Sequence, residues 1–479
     1  MATDLQYADI CVMGAGPAGC VMAARLAQLG FTVCLVERAQ FPRRHLGESL
    51  SPGVLPLLDT IGARGSVEAA GFTRVRSVRS NWEGTVAERI DAREQGLLVD
   101  RGRFDALLME RAMSLDVIVL QPAIVRERLQ RDDGWDLVID EAGQSRRWRV
   151  RFLVDATGRS AALPGRRRRT APRTVALYAY WEGRNLPAQP RIEAGASAWY
   201  WGVPLPDGSY NTMAFVNGDS LRIKSDRTLQ ARFLDAIAGS GLMDGCECVR
   251  LLGTVRAANA TPYLDELSVT ATSIKVGDSA LAIDPLSSSG VQKAIQTSLS
   301  GAIVVNTLLR KPDAANAAMQ FYRESLAHAS KRHCGWAALH YATVAAREGN
   351  SFWSTRAAAP HAVRSEPSSG VISAQLASKA PVQLSVEAEL VDVPLLGADF
   401  VGLGAALSHP GLDAPIAYLG GWELAPLLRA MRPGMTPLEV VRSWSPRVPL
   451  KSGIAIAGWM LGHGILVSQP FPPLSERRT

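Results

Sequence analysis

Residues 14–19 read GAGPAG, between an apolar run, ADICVM (8–13), and an alanine-rich stretch, CVMAARLAQLG (20–30). The apolar run reads as a buried parallel strand and the alanine-rich stretch as a helix that stops at Gly30. FTVCLVE (31–37) reads as a second strand, ending in Glu37. Strand, glycines, helix, strand and an acidic residue about 20 positions on make up a dinucleotide-binding unit. Gly14 permits the tight turn, Gly16 lets a pyrophosphate approach the backbone, and Gly19 lets helix and strand pack closely. The helix start favours the anion, and Glu37 offers an acceptor to a ribose hydroxyl. This unit alone does not separate FAD from NAD.

At 479 residues the chain is long for one core, and two or more are expected. The net charge is +7, and part of the excess is the run Arg166 to Arg169. That run reads either as a solvated loop or as a docking patch for an acidic partner. No nucleic-acid module signature accompanies it. No uncharged apolar run of about 18 residues occurs, so no membrane span is expected. The N-terminus lacks the layout of a secretory signal, and six scattered cysteines suit a reducing cytoplasm. Cys246 and Cys248, in CEC, have no common zinc spacing and read as a surface thiol pair. His328, His333 and His340 lie on expected helices (313–350) at spacings that form no HxxxH pair, so no metal site is read.

Four further segments select the cofactor: FPRRHLGESLSP (41–52), VDRGRFD (99–105), FLVDATGR (152–159) and VGDSALAIDPLSSSGV (276–291). With GAGPAG they resemble the flavoprotein monooxygenases of the para-hydroxybenzoate hydroxylase type, and most of all the flavin-dependent halogenase branch. The resemblance covers about residues 8–310 and implies FAD. It places Gly14, Gly16, Ala18, Gly19, Glu37, Arg38, Ser49, Arg101, Asp278, Pro285, Ser289, Gly290 and Val291 at that cofactor. Asp278 is expected at the ribityl chain, on an apolar strand. DPLSSSG is expected to bring backbone N–H groups beside the flavin ring. Arg101 is expected at the ribityl or pyrophosphate region, with a surface residue at a helix start as the alternative. Self-sufficient hydroxylases carry an Asp-Gly pair serving FAD and NADPH. The separation of Asp155 from Gly158 in DATGR implies instead a separate flavin reductase.

WYWGVPL (199–205) resembles the halogenase signature WxWxIP, and strand alternation puts Trp199 and Trp201 on one face, with a hairpin turn at PDGS (206–209). In the resembled halogenases a lysine relays the halogenating agent, after a Gly-Phe pair in the phenol-type branch. Here GFTRV (71–75) has Val75 at that place, and the first lysine of the chain is Lys224. Valine forms no haloamine and donates no proton, so oxygen transfer to an aromatic ring is expected instead, with dehydrogenation or reduction as the alternative. Aromatic hydroxylation needs proton-handling groups near the flavin. His45 and Glu48, flanking and within GES, are the candidates. For His45 a structural role is equally open. Asp284 is a third, with capping of its turn as its other role.

The expected fold is α/β: a doubly wound FAD-binding domain (1–75, 99–170 and, with helices, 256–350), a mixed-sheet substrate domain (76–98 and 171–255), a linker or excursion (351–395, including RSEPSSG), and a C-terminal winged-helix-like unit (396–479). In that last unit WELAPLLRAM and TPLEVVRSW read as helices, the second opened by a Thr436–Glu439 capping box. Its element order resembles small peptide-chaperone modules, and a structural or dimerising role is the alternative. Taken together, the chain resembles the flavoproteins that dihydroxylate a tryptophan of a protein substrate in tryptophylquinone cofactor biogenesis. A protein or peptide substrate is therefore expected. A small-molecule aromatic hydroxylase of a natural-product pathway, a flavin halogenase and a non-catalytic flavoprotein assembly factor are the alternatives.

Overall fold

The structure is a computed structural model, and it describes residues 5–90, 95–220, 228–358 and 369–468. Contacts divide it into two units, Met1–Ala362 with Ala398–Phe400, and Val363–Gly397 with Val401–Thr479.

The first unit is built on the expected opening. β1 (Leu5–Met13) leads through the glycine turn into α1 (Pro17–Gln28) and then β2 (Val33–Val36). After α2 (Arg101–Met113) comes β3 (Gln144–Asp155), which pairs in parallel with β1 along almost its whole length. β2 lies on the other side of β1, with Ile118–Leu120 beyond it, both parallel. Strands Gly134–Glu141 and Ala123–Arg131 extend the sheet antiparallel past β3. The parallel strands are nearly all apolar because both their faces are covered; Ile10, Cys11, Val12, Cys34 and Leu35 are fully buried.

A second sheet also has seven strands among the described residues. Its centre is β4 (Thr174–Arg184), β5 (Trp199–Pro204) and β6 (Tyr210–Asn217), with β6 between the other two. Glu247–Asn259 flanks β4, while Arg191–Ala194, Ser77–Asn81 and Ala87–Ile90 continue beyond β5. Ser77–Ile90 and strands between 174 and 259 share this sheet, whereas Leu97–Leu98 pairs with Ser49–Leu50 and Thr73–Arg74 in a separate small sheet. The PDGS turn closes the β5–β6 hairpin, with Asp207 accepting from the Ser209 N–H and hydroxyl. α3 (Gly290–Arg310) packs on α1, and α4 (Ala315–Glu348) follows as one long helix, leading into α5 (Ser351–Ala357).

The expected linker over 351–395 is corrected. Its first residues are α5, whose Phe352 and Trp353 are buried among Trp82, Tyr341 and Trp199. Its later residues are the helix Ser369–Leu376 and the strands Val382–Leu384 and Glu389–Leu396. Phe352, Trp353 and Val382 are buried, and Leu376 and Leu384 pack against the second unit's core, burial that an Ala/Pro/Ser-rich composition does not reveal. RSEPSSG lies almost entirely outside the described residues.

In the second unit the helices Leu424–Arg429, Pro437–Trp444 and Leu450–Gly462 follow in the expected order. The capping box is present: the Glu439 carboxylate accepts from the Thr436 N–H at 2.8 Å, and Thr436 Oγ1 accepts from the Glu439 N–H at 3.4 Å. Leu466–Ser468 pairs with Val382–Leu384, so this unit begins upstream of residue 396. Trp444 is buried at its centre and donates to Leu427 O. Among the described residues no helix is long and apolar enough to cross a membrane.

Candidate active site

A cavity of about 1010 Å³ runs from the glycine turn to the face of the second sheet. Of the residues expected at the cofactor, Gly14, Gly16, Ala18, Glu37, Arg38, Ser49, Arg101, Asp278, Pro285, Gly290 and Val291 line it. Gly19 and Ser289 do not. A Cβ at Gly19 would stand 1.8 Å from Gly14 O, so this glycine closes the turn onto its own helix. Ser289 turns its hydroxyl back to Ser287 O and only flanks the wall residues Ser288 and Gly290.

The wall is shaped for an extended dinucleotide. α1 begins at Gly16 with no side-chain cap, so its first N–H groups are left for a ligand anion. A Cβ at Gly16 would approach only Arg43, at 3.8 Å, and one at Gly290 would meet nothing within 4 Å. The start of α3 is uncapped as well. Glu37, at the end of β2, is held by the N–H groups of Ala15 (2.8 Å) and Ala39 (2.9 Å). Arg101 is buried rather than on the surface. It forms a two-pronged ion pair with Asp105 at 3.0 Å and donates to Leu46 O at 2.6 Å, which fixes the loop carrying His45 and Glu48.

Asp278 sits on a short turn, Gly277–Ser279, rather than on a continuous strand. Burial opposes its ionisation, but Lys293 at 2.6 Å and Arg159 at 3.3 Å outweigh it and hold the carboxyl below its usual range. Lys293 is itself only 2% exposed. Asp155 stays off the wall, its carboxylate accepting from Thr157, Leu163 and Ser279. Asp284 is off the wall too, capping Leu286 and accepting from the Tyr341 hydroxyl.

The far wall consists of rows across the second sheet. Tyr178, Met213, Trp201 and Ile192 stand in one register; Ala176, Phe215 and Trp199 stand in the next. Trp199 stacks on Phe215 with centroids 3.7 Å apart and planes 8° from parallel. The two tryptophans both pack the core and face the cavity. Tyr178, Met213 and Phe215 were missed in the sequence, although strand register with Trp199 and Trp201 reaches them. Arg43, Arg159 and Lys293 carried no comparable signal.

His45 and Glu48 both line the cavity. The His45 ring is exposed on the cavity side, its Nδ1 lies 2.8 Å from Leu46 O, and desolvation by the surrounding protein, with Arg101 next, lowers its pKa. Glu48 is 3% exposed, and burial raises its pKa. Val75 lies elsewhere, on a second cavity of about 700 Å³ with Arg74, Arg76 and Arg191. Lys224 is outside the described residues. The arginine run is partly spoken for within the chain: Arg166 and Arg168 pair with Glu266, and Arg167 covers the Tyr263 ring. Cys246 and Cys248 are free thiols, half-buried and exposed.

A glycine turn and two uncapped helix starts on one cavity suit an extended dinucleotide, with an aromatic sheet facing it. The sequence profile of the tryptophan halogenase family matches residues 85–375, and that of NAD(P)-binding Rossmann-like domains matches residues 12–47. The chain belongs to the tryptophan halogenase family of flavin-dependent enzymes. It is 30% identical over 372 residues to the tryptophan 2-halogenase of Chondromyces crocatus, covering 72% of this chain and 70% of that one. It is 27% identical to the flavin-dependent halogenase armH4 of Armillaria mellea, over 68% of this chain and 70% of that one. Among solved structures, the peptidyl tryptophan dihydroxylase QhpG, essential for tryptophylquinone cofactor biogenesis, superposes with a TM-score of 0.72 at 26% identity. The match covers 96% of this chain and 99% of that one. The flavin-dependent halogenase CmlS shares the fold, with a TM-score of 0.79 at 19% identity over 97% and 96% of the two chains.

Proposed function

We propose that this chain is an FAD-dependent monooxygenase that hydroxylates an aromatic ring, and that the ring is a tryptophan of a protein or peptide. The observation that carries the reading is the composition of the cavity wall: among the described residues, no lysine lines it. Halogen relay needs an amine there, whereas oxygen transfer does not. The likeness to QhpG, a peptidyl tryptophan dihydroxylase at 26% identity, supports a macromolecular substrate. Bound FAD would supply the electrons that reduce dioxygen. The chain's own part is to hold it at Gly14, Gly16, Glu37, Asp278 and Gly290, to offer an indole the flat Trp199–Phe215 and Trp201 face, and to place Glu48 and His45 for proton handling. His45, kept neutral by its surroundings at neutral pH, is able to accept a proton; Glu48 is argued further below. Reduced flavin comes from a separate reductase on this reading.

Halogenation is the second reading, favoured by the family itself. One reaction separates the two. The protein is given FAD, a flavin reductase with NADH, labelled dioxygen, bromide and a set of tryptophan-containing peptides and free indoles. A product heavier by labelled oxygen is expected, and only when the reductase is present. Bromination without oxygen incorporation would overturn the proposal, and turnover of free indoles alone would replace the macromolecular substrate by a small one.

A further inference from the structure

Glu48 is held in a way that leaves one neighbouring polar atom idle. Its Oε1 accepts from the Tyr180 hydroxyl at 2.9 Å and from Asn211 Nδ2 at 3.1 Å, and its Oε2 accepts from the Gly47 N–H at 3.0 Å. Asn211 is fully buried, and its Oδ1 has no hydrogen-bond partner. A buried amide oxygen without a donor is costly, and beside a carboxylate it gains a donor when that carboxyl is protonated. If Glu48 carries a proton, its O–H needs an acceptor. A half-turn of the Asn211 amide then puts Oδ1 where Nδ2 now stands. The Tyr180 hydroxyl, donor and acceptor at once, serves either state.

We propose that Glu48, Asn211 and Tyr180 form a proton-holding trio, in which Glu48, the member on the cavity wall, takes up the proton lost by the ring and Asn211 turns over as it does so. The inference rests on the hydroxylase reading. The balance is that of aromatic substitution: a C–O bond forms at a ring carbon, its C–H bond breaks, the electron pair returns to the ring, and the proton passes to Glu48. Dioxygen supplies the oxygen, two electrons come from reduced flavin, and the second oxygen leaves as water.

The setting suits a carboxyl that changes state. Burial favours the neutral form, while Arg101, approaching from α2, favours the ionised one. Arg44 and His45 flank it on its own loop and line the same cavity, and Tyr178 stands beside Tyr180 on β4. Glu48 and Asn211 come from segments far apart in sequence, joined by the Tyr180–Asn211 register of β4 and β6.

The test is an infrared titration of the FAD-loaded full chain with isotope-labelled asparagine side chains. A protonated-carboxyl band, absent in Glu48→Gln, is expected to persist above the ordinary carboxyl value of 4.5. An asparagine amide band, absent in Asn211→Leu, is expected to shift with the same midpoint. Tyr180→Phe removes a donor that favours the ionised form, so the midpoint rises by about one pH unit. Tyr180→Phe, which loses a single hydroxyl, carries the test should Asn211→Leu not fold. A Glu48 ionised throughout, or an amide band unchanged across the midpoint, overturns the trio. Absence of labelled oxygen in the wild-type product instead overturns the hydroxylase reading, and with it the ring as the proton's source.

Discussion

Gly16 and Gly19 sit on the same turn and do different jobs. Around Gly16 there is open space on the cavity side, so a methyl group there is tolerated by the protein but stands where the dinucleotide backbone passes. At Gly19 the same methyl would collide with the Gly14 carbonyl. Gly16→Ala is therefore expected to keep its melting temperature as purified without flavin and to lose FAD, read as the visible absorbance retained after gel filtration. Gly19→Ala is expected to be destabilised by about 1–3 kcal/mol or more with or without flavin. His333 on α4 makes a pH statement. Burial, then Arg332 and Lys293, push its pKa down to about 4 from 6.5. The unfolded chain thus binds the extra proton first, and folding stability rises as pH climbs through that window. His333→Gln should flatten this slope in urea melts between pH 4 and 6.5, and an unchanged slope would show that His333 is not its source.

At the level of elements, helix starts carry much of the chemistry, and they come in two kinds. α1 and α3 begin without side-chain caps at the cavity, whereas the helix Pro437–Trp444 closes its own start with Thr436 and Glu439. An uncapped start leaves N–H groups for a ligand; a capped one is self-sufficient. Thr436→Ala should cost about 1 kcal/mol, seen as roughly fivefold faster amide exchange in that helix. Exchange in α1 should stay as it was. Both kinds of start were legible in the sequence: GAGPAG and TPLEVVRSW each carry their own geometry in local spacing. The register of β4, β5 and β6 was only half legible. Alternation put Trp199 and Trp201 on one face, but which residues of other strands stand beside them depends on pairing between segments, so Tyr178, Met213, Phe215 and Asn211 went unnoticed. The helix α5 was missed because its apolar residues are few and their burial depends on Trp82 and Tyr341, distant in sequence.

For the molecule as a whole, the cavity joins one fold's ligand turn to another sheet's aromatic face, and neither half is a complete site. The FAD cofactor was readable because its signals, GAGPAG above all, lie in short local motifs. The proposed use of FAD rested in the sequence only on an absence, Val75 where an amine was expected. That position now has an address. Val75 lies on the second cavity, and the small sheet of Ser49–Leu50, Leu97–Leu98 and Thr73–Arg74 joins the two walls: Ser49 lines the flavin cavity and its pairing partner Leu98 the other. Restoring a lysine there would place an amine behind that sheet. Val75→Lys is expected to yield no brominated product in the peptide assay, while an amine introduced on the Tyr178–Met213–Trp201 row would face the flavin cavity directly. If the proposed oxygen chemistry holds, Val75→Lys adds its amine to the wall of the second cavity, and an amine meant for the first would have to be built on the sheet face instead.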